Sequence, residues 1–254
     1  PMLVAMVDSV AMWKRINFPI LYQGPHNDFN APLDTLMHNW EAIPDRSKVY
    51  FSVSPHLNHR HELESDAAVV RFFDTFLKNE GKFPATPDLQ VSLKTANGIP
   101  MATLRPDKSG EIRSVQIYYS INPHALTRFW RSAKTVQKGD TWQAELPVMS
   151  TSMPLFVVAN VLYAMPEGNV ALPLNTKCPS EYLVTSWERM FDPADLAAAM
   201  TAQQDHLAAR MKFGTDAMHD FLVSLTPQER LDFADRLEDR LLRGPKDPAD
   251  PPKQ

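Results

Sequence analysis

One cysteine, Cys178, in 254 residues leaves no pair for an internal disulfide and too few thiolates for a cysteine-based zinc site. Glycine is scarce too, 8 residues against 22 prolines, so stiff loops and edge positions are expected in place of flexible linkers. No apolar run approaches the roughly 20 residues that a membrane-spanning helix needs, so no membrane span is expected. Neither charge dominates. The 26 Lys and Arg stand against 30 Asp and Glu, a net charge of −4, and no basic cluster offers a nucleic-acid surface. No cofactor is expected either. Pro1 opens the sequence without a basic-then-apolar leader, so any signal peptide is expected to have been removed or never included.

What is present reads as a globular chain, with 44% hydrophobic and 22% charged residues. Residues 1–12 are apolar without clear period. Pro19 to Tyr22 is a short continuous apolar run, as in a strand buried on both faces. Gly24-Pro25 breaks it. Pro32 fits the first turn of a helix that carries Leu33, Leu36, Met37 and Trp40 at helical spacing. Lys48 to Val53 predicts a second strand, and Glu62 to Lys78 an amphipathic helix with Ala68, Phe72, Phe73, Phe76 and Leu77 on its stripe.

From Pro87 the period becomes two. Leu89-Val91-Leu93, Val115-Ile117-Tyr119, Trp142-Ala144-Leu146 and Leu155 to Tyr163 alternate, with turn signals such as Asn97-Gly98 and Gly139-Asp140 between them. That spacing predicts an antiparallel β-sandwich over 87–186, with Trp130 and Trp142 as packing residues. Asp195 to Leu225 then reads as a long helix interrupted at Gly214. Thr226-Pro227-Gln228-Glu229 restarts a helix through a capping box, and Gly244 opens a Pro-rich charged tail expected to be disordered. The expected fold class is therefore α/β over 1–84, a β-sandwich over 87–186, an α-helical hairpin over 191–243 and a disordered tail over 244–254.

The candidate catalytic residues are Asp28 and His59. Each stands just past the C-terminal end of a predicted strand, where α/β sheets place reactive groups. An Asp that orients a His supplies two members of a hydrolytic triad. Two other readings stay open for this stretch. His56, His59 and His61, with His26 and Asp28, are residue types that ligate zinc, and Asn and His also satisfy exposed backbone groups in loops.

The run Gln23-Gly24-Pro25-His26-Asn27-Asp28-Phe29-Asn30-Ala31-Pro32, followed by Pro55-His56-Leu57-Asn58-His59, resembles the acid and histidine loops of a bacterial α/β-hydrolase family. That family is related to acetyl-xylan esterases, dienelactone hydrolases and prolyl-oligopeptidase-like peptidases. The separation of 59 − 28 = 31 residues is one helix plus one strand, in the Asp-then-His order of those enzymes. The stretches IYYS, TRFWR, TWQAELPV and LFVVANVLY look like the β-domain of secreted members, so the resemblance covers about 13–190. It implies acyl transfer from a small ester, peptide or carbohydrate-linked substrate to water, with His59 as base and Asp28 as its orienter. One member is lacking: no G-x-S-x-G elbow exists anywhere in the sequence, and Ser9 has neither flanking glycine. The strands that would carry the elbow and the oxyanion donors are missing as well. The resemblance therefore implies a truncated hydrolase, inactive alone, with an exposed sheet edge through which it self-associates.

The phrase LTPQERLDFADRL, with the long helix before it, is similar to the last two helices of periplasmic heavy-metal sensor proteins. That likeness covers 191–243 and implies the alternative function, non-enzymatic binding or metal sensing, with His206, Met211 and His219 as candidate ligands by residue type. Met218 adjoins them, but helical Met is more often core filler. Both resemblances imply a periplasmic or secreted location. Two C-terminal segments of different families place a junction at 187–194.

Overall fold

The computed structural model describes residues 13–30, 33–40, 42–166 and 179–243. Ser9, Pro32, Cys178 and the tail from Gly244 fall outside those residues, as do the side chains of His206 and Met211. Two compact units divide the chain, Pro1–Ala202 and Gln203–Gln254.

Strand β1, Ile20–Pro25, crosses over through helix α1, Leu33–Trp40, to the parallel strand β2, Val49–Ser54. Every residue of β2 is buried, the expected signature of a strand covered on both faces. Its side chains alternate. Val49, Phe51 and Val53 pack with Leu33, Met37 and Trp40 of α1 and with Trp13, while Tyr50 points to the opposite side. There helix α2, Leu63–Lys78, lays Ala67, Ala68 and Phe72 against Tyr50 and Phe83. Asn79 ends α2 in the left-handed region at φ 58°, and Glu80 N–H closes back on Asp74 O at 2.9 Å.

The chain then forms β3 (Asp88–Ser92), β4 (Met101–Arg105), β5 (Ile112–Ser120), β6 (Arg131–Ala133), β7 (Thr135–Lys138), β8 (Thr141–Glu145), β9 (Leu155–Ala164), β10 (Glu181–Thr185) and β11 (Arg189–Phe191). Among the described residues these make a seven-stranded sheet in the order β1-β2-β10-β9-β5-β6, with β11 also on β9, and a four-stranded sheet in the order β3-β4-β8-β7. Between the sheets lie Leu89, Leu104, Ile117, Leu146, Leu155 and Val157. The even-numbered face of β9 carries Phe156 and Val158, which pack with Tyr118 and Trp130 on the outer side of the sheet.

This architecture corrects the expected fold class. The fold is mainly β, and no separate α/β sheet exists among the described residues. β1 and β2 form a single parallel pair, and the far side of β2 is taken by β10 running antiparallel. The strands expected to found an α/β sheet are instead the edge of the sandwich's own larger sheet. The physical reason is local. Only one residue pair, Thr185 and Phe51, is in ladder register between β10 and β2, and buried side chains supply the remaining bonds. Val53 N–H donates to Thr185 Oγ1 at 2.9 Å, the Thr185 hydroxyl donates to Asn160 Oδ1 at 2.8 Å, and Asn160 Nδ2 donates to Val53 O at 3.1 Å. This closed ring satisfies buried backbone that a diverging ladder would leave without partners.

Helix α3, Pro193–Ser224, leaves the sandwich with Leu196 fully buried in the main core. In the second unit, helix α4, Pro227–Arg243, follows after two residues. Its start is a reciprocal cap: Thr226 N–H donates to Glu229 Oε2 at 2.8 Å, and Glu229 N–H to Thr226 Oγ1 at 3.4 Å. Phe221 and Phe233 meet edge to face at 5.4 Å.

The ring around Thr185 is the joint of the fold. Thr185→Val keeps the shape and deletes the hydroxyl, leaving the buried Val53 N–H unsatisfied. A loss of about 1–3 kcal/mol is expected in urea denaturation, and an unchanged midpoint would mean that the ring does not join the strands.

Candidate functional site

The parallel pairing of β1 and β2 brings their C-terminal loops side by side. Past β1, His26 N–H donates to Ser54 O at 3.0 Å and Asn27 N–H to Leu57 O at 3.1 Å, so the acid turn is bonded to the histidine loop. Asp28 follows. One of its oxygens, Oδ1, accepts the Asn30 N–H at 2.7 Å, the self-bonding turn that aspartate favours. The other, Oδ2, faces His59 Nδ1 at 3.3 Å. His59 stands at φ 52° and His56 at φ 57°, a left-handed conformation uncommon for residues with a side chain. The Asp28 side chain is 11% exposed and that of His59 48%, a shielded acid under an accessible base. Phe29 packs against the imidazole at 4.7 Å.

The other histidines of this stretch are engaged elsewhere. His26 is buried between Tyr118 and Trp130, with centroids at 5.7 and 4.7 Å. Burial, with His56 and Arg128 adding to it, pulls His26 down to about 3, so it is a neutral packing group at ordinary pH. His56 lies edge to face on Tyr118 at 5.4 Å. His61 Nδ1 is 3.2 Å from Asp66 Oδ1, and Gln23 Nε2 donates to the same oxygen at 2.7 Å. Among the described residues no group of three or more His, Cys, Asp or Glu is placed to hold a metal ion. In the second unit, His219 lies beside Asp220 at 3.4 Å with its side chain 73% exposed.

Burial, with the Asp28 charge adding to it, pushes Tyr22 up to about 12. The two serines of β2 are spoken for. Ser54 is fully buried and its oxygen accepts Glu62 N–H at 2.9 Å, and Ser52 donates to Ser65 at 3.0 Å. A cavity of about 450 Å³ lies at the sandwich corner near Lys134 and Val136, and none of its lining residues belongs to the two loops.

A buried ionic cluster that the sequence did not disclose stands behind the acid turn. Arg128 forks onto Asp34 of α1, Nη1 to Oδ1 at 2.6 Å and Nη2 to Oδ2 at 2.7 Å. Nη1 also reaches Glu188 Oε1 at 3.3 Å, and the guanidinium lies 3.4 Å over Phe156. The signal was one arginine in TRFWR, which from sequence alone reads as a surface group. Burial, with repulsion from Asp34 adding to it and Arg128 opposing, holds the Glu188 carboxyl well above the usual carboxylate range.

No family model matches the chain, and neither a curated protein nor a solved structure is significantly similar to it. The chemistry of the site therefore rests on its geometry.

Glu188 fixes a pH dependence. A carboxyl raised in the folded state stabilises fully below its ordinary value of 4.5, and that contribution is lost as pH rises through the raised value. Glu188→Gln mimics the protonated form. Urea midpoints of variant and parent are expected to coincide in acid and to separate in favour of the variant as pH rises. Parallel curves across that range would contradict a raised Glu188 carboxyl.

Proposed function

We propose that this chain carries the acid and base of a serine-hydrolase-type triad, Asp28 and His59, and supplies no nucleophile, so that it does not hydrolyse esters or peptides by itself. The observation that carries this reading is the 3.3 Å approach of Asp28 Oδ2 to His59 Nδ1 on adjacent loops. The second carboxylate oxygen accepts the Asn30 N–H and lies 3.4 Å from the same Nδ1, and the His59 side chain is about half exposed. That is the arrangement in which a buried carboxylate fixes the tautomer of an imidazole and leaves its other nitrogen to take a proton. In intact enzymes of this type the substrates would be small esters, peptides or carbohydrate-linked compounds. Turnover needs a hydroxyl nucleophile and oxyanion donors. The sequence contains no G-x-S-x-G motif, and Ser52 and Ser54 are already bonded.

The same reading includes self-association. Among the described residues β1 has no strand on its outer side, and exposed Phe18 and Phe29 flank its two ends. An edge strand with apolar neighbours favours pairing between copies.

Hydrolysis of p-nitrophenyl acetate by the parent chain is expected to match that of His59→Ala and Asp28→Asn. Hydrolysis by the parent that His59→Ala abolishes would overturn the inactive reading. Light scattering is expected to show dimers or larger species, and a monodisperse monomer would contradict the edge pairing.

A further inference from the structure

Asn27 is 8% exposed, sits directly before Asp28, and is bonded on both sides. Its backbone N–H goes to Leu57 O of the histidine loop at 3.1 Å. Its side-chain amide goes the other way. Nδ2 donates to Ala125 O at 3.0 Å and to Arg128 O at 2.8 Å, carbonyls about a hundred positions further along the chain, in the segment between β5 and β6. Both amide hydrogens are spent there, and a carboxylate in the same place would have no hydrogen to give and would face two carbonyl oxygens. The receiving segment is itself braced. Asn122 Nδ2 donates to Thr127 O at 3.3 Å, Arg128 Nε to Asn122 O at 2.8 Å, and the Arg128 guanidinium grips Asp34 at the start of α1. The acid turn is thus held between the histidine loop and the sandwich.

From this geometry we infer that Asn27 is a positioning residue, through which the 121–130 segment of the sandwich sets where Asp28 stands under His59. The inference rests on reading Asp28 and His59 as an acid–base pair. Asp28 makes its approach to His59 from a turn whose other main-chain tie, His26 N–H to Ser54 O, lies at its root. Without the Nδ2 bonds that turn loses its ties to the 121–130 segment, and the Asp28 carboxylate loses its fixed height against Nδ1. At 3.3 Å the pair is already slightly longer than an ordinary N–H···O bond, so a small displacement breaks it. The sandwich, in this account, orients the base through two links, Asn27 and then Asp28.

The test reads the imidazole itself, without substrate. Long-range ¹H–¹⁵N spectra give the tautomer of His59 at a pH where the ring is neutral. In the parent chain Nδ1–H is expected to dominate, donating to Asp28. Asn27→Ala and Asn27→Asp are each expected to cut the Nδ1–H share by about half or more, while Leu126→Ala, an exposed side chain in the same segment, leaves it unchanged. If Asn27→Ala does not fold, Asn122→Ala loosens the segment from its far side and is expected to shift the tautomer in the same direction by a smaller amount. Two failures are distinguishable. If Asp28→Asn leaves the His59 tautomer unmoved, the acid–base reading itself falls. If Asp28→Asn shifts it and the folded Asn27 and Asn122 variants do not, the pair stands and the positioning role is overturned.

Discussion

The junction of β2 with β10 is the constraint on which the rest depends. One ladder pair and a ring of buried polar groups, Val53, Thr185 and Asn160, turn a parallel β-α-β unit into the edge of an antiparallel sandwich. Buried polar rings of this kind are stable only when every member is satisfied, and here each bond of the ring lies within 3.1 Å. The consequence is positional. With β2 fixed against β10 and β9, its loop and that of β1 face the segment after β5. The aromatic cluster of Tyr118, Trp130 and Phe156 lies on that side of the sheet.

That placement explains the burial of several groups that sequence presents as polar. His26 becomes a neutral ring packed on Trp130, Arg128 becomes the fork that holds α1, and burial beside Asp34 holds the Glu188 carboxyl well above the usual carboxylate range. Removing water from Arg128 and Glu188 is costly, and the cost is offset because the two meet each other and Asp34 at bonding distance, whereas both ring nitrogens of His26 are buried without a hydrogen-bond partner among the described residues. The same packing leaves His59 at the surface with Asp28 beneath it. The asymmetry of exposure within the pair follows from the architecture.

The strands and turns of this fold are legible in the sequence where the signal is local. The apolar run at Pro19–Tyr22, the β-branched and aromatic run at Lys48–Val53 and the alternation of Leu155–Tyr163 all mark strands that the structure contains. That the first two strands belong to the sandwich's own sheet was not legible, because it turns on a pairing of Phe51 with Thr185 across more than a hundred residues. Nothing periodic in either segment records that contact. Even the hydroxyl that closes the ring is one threonine in EYLVTS. At the site, loop order and spacing put Asp28 and His59 forward, whereas Asn27 was hidden. A side chain whose partners are main-chain carbonyls leaves no complementary residue to find. The left-handed backbone at His56 and His59 likewise carries no glycine to announce it.

The central claim is an acid–base pair without a nucleophile in the same chain. Exposure of the folded protein to a fluorophosphonate, followed by intact-mass measurement, tests it most directly, since that reagent forms a stable adduct with an activated serine. The account expects an unmodified mass after prolonged incubation. A single stoichiometric adduct on one serine, lost when His59 is replaced by alanine, would contradict it.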